Sequence, residues 1–166
     1  MSLILNQVTF QKSLASLPLV SYQAGETVIA DGSRTGRLLI LSKGTVAIVK
    51  EGTEIAKVAE PGAVFGELSV LLDQPHAADV RATEASEFHV ADASTLLTQN
   101  PVAVLYVATM LAHRLNGANH ALIQLKHQLL TGEPPNVVAK TVSKMEGFLI
   151  ASASLMYAGY PNDPYA

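Results

Sequence analysis

Between Pro18 and Val58 short runs of aliphatic and β-branched residues recur, and a glycine closes nearly every one. Leu19, Val20 and Tyr22 lead to Gly25-Glu26, and Val28 and Ile29 lead to Asp31-Gly32. The run 38–41 leads to Ser42-Lys43-Gly44, while Val46, Ile48 and Val49 lead to Glu51-Gly52. Glycine supplies the positive φ that such tight turns need. Short strands at near-regular spacing predict an antiparallel sandwich or barrel. Ile55 to Val58 continues the series, and the segment from Val80 to Val90 supplies its last strands.

The stretch 61–82, PGAVFGELSVLLDQPHAADVRA, breaks this grammar. Gly62 and Gly66 flank Val64-Phe65, Glu67 follows at once, and an apolar run to Leu72 is stopped by Pro75. The pattern predicts one short helical turn, its first amides freed or capped by Gly66 or Ser69. A turn entered by a glycine aims unpaired N–H groups and a partial positive charge at whatever lies before it. An anion is the natural guest.

Phe65-Gly66-Glu67-Leu68-Ser69-Val70-Leu71-Leu72, followed by Pro75-His76-Ala77-Ala78-Asp79-Val80-Arg81-Ala82, resembles the phosphate-binding cassette of cyclic nucleotide-binding domains. That family includes catabolite-activator-like regulators, cyclic-nucleotide-dependent kinases and cyclic-nucleotide-gated channels. The spacing of Gly25, Gly32, Gly44 and Gly62 resembles the glycine framework of the family's β-roll, and the resemblance covers about residues 18–130. It implies a mainly β fold with α: an antiparallel, jelly-roll-like double-stranded β-helix with a short N-terminal helix. A long C-terminal dimerisation and lid helix and one further helix complete it. By the same resemblance Glu67 holds the ribose 2′-hydroxyl, and amides from Gly66 to Ser69 and of Ala77 cradle the cyclic phosphate. Val64, Phe65, Leu68 and Ala78 complete the ligand set, and Arg114 and Asn119 on the long helix are further candidates for base contact. Guanine-selective members often carry a hydroxyl where this chain has Ala77, so cyclic AMP is favoured over cyclic GMP.

Two positions depart from the family pattern: its phosphate-binding arginine falls on His76 and its usual threonine on Asp79. Arginine offers a phosphate a permanent charge and a planar pair of donors. Histidine is shorter and mostly neutral at pH 7. A hydrogen bond to a charged group is worth ~1.5–3 kcal/mol, so its loss weakens binding roughly tenfold to a hundredfold. A helix N-terminus returns only about 0.3–1 kcal/mol of that. Asp79 adds a second carboxylate that repels an anion held nearby. Two readings stay open. In one, His76 donates to the phosphate and becomes protonated, so that binding strengthens as pH falls. In the other, the roll has lost its nucleotide and serves as a protein-interaction or oligomerisation module. Arg81 falls where the family carries a basic residue that does not bind phosphate.

Downstream, Asp92-Ala93-Ser94 offers helix caps and Pro101 starts a fresh helix. Val104, Ala108, Leu111, Leu115, Ala118, Leu122, Leu125 and Leu129 then alternate in steps of four and three, a heptad seam. In catabolite-activator-like proteins the matching helix is the dimer axis, so a homodimer through residues 101–130 is expected. The same periodicity fits a helix that packs only on its own roll. The run 131–136, Thr-Gly-Glu-Pro-Pro-Asn, ends this helix and divides a domain over 1–130 from a segment over 131–166. A second amphipathic run over 136–157 carries Val138, Val142, Met145, Leu149 and Met156 on one side, and residues 159–164 read as a frayed tail.

That segment holds only Lys140 and Lys144 as basic residues, too few for a recognition helix, so a stand-alone member without a DNA-binding domain is expected. The net charge of −3 gives no general attraction to nucleic acid or an anionic membrane. No apolar run approaches the ~18 residues of a membrane span, and a cytoplasmic protein is expected. The absence of cysteine excludes disulfides, thiolate metal sites and cysteine catalysis. His113, His120 and His127 recur every seven residues, ~10.5 Å apart along a helix and too far to share one metal. No nucleophile elbow or P-loop occurs, so the chain reads as a non-enzymatic sensor with no cofactor or metal beyond its ligand. An effector protein of unknown identity would read the helices. Hydrophobic residues at 49% against 15% charged suggest a surface that hides apolar area in an oligomer.

Overall fold

The structure, a computed structural model, describes residues 7–150. The part of the expected N-terminal helix before residue 7, the end of the second amphipathic run with Met156, and the tail lie outside the described residues. Eight strands and five helices follow in the order α1 (Gln7–Leu14), β1 (Leu19–Tyr22), β2 (Thr27–Ile29), β3 (Arg37–Lys43), β4 (Val46–Lys50), β5 (Thr53–Val58), β6 (Val64–Phe65), α2 (Glu67–Leu71), β7 (Asp79–Ala82), β8 (Ser86–Asp92), α3 (Ala93–Gln99), α4 (Pro101–Thr131) and α5 (Pro135–Ile150). The strands form two antiparallel four-stranded sheets, ordered β1-β8-β3-β6 and β2-β7-β4-β5. This is the expected β-roll.

Two hydrophobic layers hold it. Ile29, Leu39, Leu41, Ile48, Val80 and Phe88 fill the space between the sheets. Leu38 and Ile40, pointing the other way from β3, meet Phe10, Ala103, Tyr106 and Met110 of the helical layer. Because β3 is buried on both faces it reads as one continuous apolar run. The Phe10 and Tyr106 rings stack 3.8 Å apart, and the Tyr106 hydroxyl donates to the Gly62 carbonyl at 3.0 Å, joining α4 to the entry of β6.

Caps set the helix ends. Asp92 accepts from the Thr95 amide (2.8 Å) at the start of α3, and Asn100 accepts from the Ala103 amide (3.1 Å) at the start of α4. Gly132 closes α4 in the left-handed conformation. The turn that follows sends α5 back along α4, where Phe148 buries against Ala118 and Ala121. Gly117 makes this contact possible: a Cβ there would lie 2.4 Å from the Phe148 ring.

This packing corrects the predicted seam. Ala118 is buried under α5, while Leu111 and Leu125 are half-covered by their own chain. The row left facing outward is shifted by one residue at alternate positions: Leu105, Ala108, Ala112, Leu115, Asn119, Leu122, Lys126 and Leu129. Periodicity located the leucines but not which neighbours α5 would cover. No single helix among the described residues is long and apolar enough to cross a membrane.

Candidate functional site

One face of the second sheet supplies the floor of a cavity. Side chains alternate along a strand, so Ile29, Ile48 and Val80 point inward from β2, β4 and β7. The stretch 64–78 folds over them and encloses about 230 Å³. Residues 64–69 and 76–78, the whole ligand set read from the sequence, line this single cavity.

The close approach depends on Gly66. Its φ of 93° lies in the left-handed region, and a Cβ there would sit 2.5 Å from the Arg37 carbonyl oxygen. Gly66 is the N-cap of α2 and makes no side-chain cap, which leaves the first amides without a side-chain partner at the cavity wall. Ser69, the alternative cap, does something else. Its hydroxyl donates to the Gln74 carbonyl (2.6 Å) while the Gln74 amide donates to the Ser69 carbonyl (3.0 Å), tying the turn shut.

Glu67 is 4% exposed and forms an ion pair with Arg114 of α4, itself 5% exposed. Arg114 also reaches the Val64 carbonyl at 3.4 Å, and its Nε has no hydrogen-bond partner. Two charges withdrawn from water in this way depend on each other. Arg114 therefore meets Glu67 rather than the cavity interior, and Asn119 lies exposed on the outward row of α4; neither lines the cavity.

His76 turns inward. The ring Nε2 shares a 3.0 Å hydrogen bond with Thr35 Oγ1, and the backbone is held on both sides, its amide donating to the Ser33 carbonyl (2.9 Å) and its carbonyl accepting from Gly32 (2.8 Å). Burial pushes the imidazole pKa below its usual value, and the opposing attraction of Glu67 is the smaller effect. Burial thus favours the neutral form of the ring.

Asp79 faces away from the cavity. Its carboxylate accepts from the Asp31 amide (2.7 Å) and from Arg81 (2.7 Å), bonds that hold its pKa below the ordinary carboxylate value. Arg81 is thereby occupied in the same corner. His113, His120 and His127 are exposed, and no group of side chains among the described residues has the arrangement of a metal site.

The sequence reading missed Lys50, which lines the cavity and pairs with Asp31 at 2.8 Å, and Thr35, the partner of His76. The signal for Lys50 was strand alternation from the inward Ile48; Thr35 sits in a loop, where no periodicity points to it.

Comparison with known proteins agrees with this geometry. The sequence model of the cyclic nucleotide-binding domain matches residues 19–99. An uncharacterized ABC transporter ATP-binding protein of Mycobacterium tuberculosis is 40% identical over 67 residues, covering 38% of this chain and 20% of that protein. A cAMP-dependent protein kinase regulatory subunit of Yarrowia lipolytica is 31% identical over 80 residues, 48% of this chain and 21% of that protein. The chain thus spans about a fifth of the length of these two curated relatives. The crystal structure of the Thermus thermophilus catabolite activator protein superposes with a TM-score of 0.57 at 21% identity, covering 89% of this chain and 81% of that one, a likeness of fold. Residues 19–99 thus match the cyclic nucleotide-binding domain family, the segment that holds both sheets and the cavity wall.

Proposed function

We propose that the chain is a non-enzymatic sensor of a cyclic nucleotide, with cyclic AMP preferred because Ala77 offers guanine no hydroxyl. One observation carries this reading: the cavity wall and the long helix meet in the buried Glu67–Arg114 pair. A ribose hydroxyl donating to Glu67 draws on the same carboxylate that holds Arg114. Ligand entry therefore alters the tie between cavity and α4, shifting the population of helix positions. An effector protein reads that shift. The outward row of α4 supports a parallel homodimer, since leucine recurs at one core position and Asn119 at the other.

A second reading rests on His76 and Glu67 both being already engaged, by Thr35 and Arg114. Under it the cavity holds no nucleotide and the domain acts through its surfaces. Isothermal titration of nucleotide-stripped protein with cyclic AMP and cyclic GMP separates the two. The sensor reading expects a Kd of about 10–100 μM, or −5.5 to −7 kcal/mol, for cyclic AMP. Absence of heat and of any thermal shift at millimolar nucleotide would leave only the second reading.

A further inference from the structure

We propose that Lys50 supplies the cationic contact for the anionic group of the ligand, the place that His76 does not fill. This inference rests on the cyclic-nucleotide reading. The cavity wall carries three ionisable side chains besides its apolar floor: Glu67, His76 and Lys50. Glu67 is neutralised by Arg114, and His76 is buried against Thr35. An anion entering the cavity therefore meets one cation on its wall.

Strand geometry puts that cation at the mouth. Ile48 pairs with Val80 and Val49 with Asp79, so one step further the antiparallel strands bring Lys50 level with Ala78. Two residues on from the inward Ile48, Lys50 shares its face; two residues before the inward Val80, so does Ala78. Asp31 lies in the turn that follows β2, and its carboxylate holds the Lys50 ammonium at 2.8 Å. Lys50 thus lines the cavity together with the small Ala78, its partly exposed ammonium held by Asp31. An ammonium has three donors; Asp31 takes one and leaves others for a ligand oxygen. Asp79, the neighbouring carboxylate, accepts from the Asp31 amide and Arg81, and it attracts Lys50 through space without a hydrogen bond to it.

The experiment compares wild type with Lys50→Met and Lys50→Arg, whose folding is checked by thermal unfolding. Cyclic AMP and uncharged adenosine are titrated into each. Lys50→Met is expected to weaken cyclic AMP roughly tenfold to a hundredfold, the range of a charged hydrogen bond, and to leave adenosine unchanged. Lys50→Arg is expected to retain most of the affinity. Equal cyclic AMP affinity in wild type and Lys50→Met overturns the inference, as does an equal loss for adenosine. Inorganic phosphate followed by the NMR signals of the Lys50 side chain covers the remaining case. If no cyclic nucleotide binds but phosphate shifts those signals, the sensor reading falls while the anion contact stands. If neither nucleotide nor phosphate reaches Lys50, the contact is refuted as well.

Discussion

Glu67 was legible because Phe-Gly-Glu-Leu-Ser is a local signature, whereas its partner Arg114 stands 47 positions away with no local sign that it turns inward. Their pairing makes each the condition for burying the other. Arg114→Leu leaves an uncompensated carboxylate and is expected to lower stability by about 3–5 kcal/mol. Adding Glu67→Gln to that variant should restore much of the loss. Urea unfolding of the two variants checks this, and equal stabilities would show that the pair is not coupled. His76 gives a pH dependence whose sign follows from its burial. Its folded pKa lies below the unfolded value of about 6.5, so the unfolded chain takes up the proton first. The contribution is complete above that value and declines as pH falls through the window beneath it. Between pH 7.5 and 5.5 the urea midpoint of wild type should therefore fall more than that of His76→Asn. Parallel curves would show that His76 does not carry the acid sensitivity.

The strands and their glycine turns were readable because each is decided within a few residues, and the cassette because Gly66 is forced by backbone approach. The facing of α4 was not readable in the same way. A heptad of leucines marks an apolar stripe, but Ala118 became an inward position only once α5 folded back, a choice made by Gly117 and Phe148 some thirty residues apart in sequence. Gly117→Ala tests that account. In a bare helix the change stabilises by about 1 kcal/mol. Here the new Cβ lies 2.4 and 2.5 Å from two atoms of a buried ring, and overpacking of this kind typically costs about 1–3 kcal/mol. The expected net result is loosening of α5, seen as reduced amide-exchange protection over Pro135–Ile150 with the roll unchanged. A higher melting temperature with α5 still protected would mean that the ring moves aside freely.

For the molecule as a whole, the outward row of α4 leaves apolar surface that a monomer would keep in water. Leu115, Leu122 and Leu129 are 61%, 54% and 64% exposed, at one core position of the shifted heptad. The other core position holds Leu105, Ala112, Asn119 and Lys126, and an asparagine there pairs best with its own copy in a parallel two-stranded arrangement. The flanking positions Thr109, Asn116, Ile123 and Leu130 on one side, with Leu111, Ala118 and Leu125 on the other, carry no charge. The charge along the row is Lys126, whose core position would set it beside its own copy, a cost in stability that the flanking positions do not add to. Sedimentation should give a dimer for wild type and a monomer for Leu122→Glu, which sets two carboxylates against each other in the seam. Asn119→Leu should strengthen association and relax the preference for two strands. Had the unshifted seam been the interface, α5 would have to leave α4 on dimerisation, and Gly117→Ala would promote association. A Gly117→Ala variant that dimerises no better than wild type keeps the shifted row as the contact.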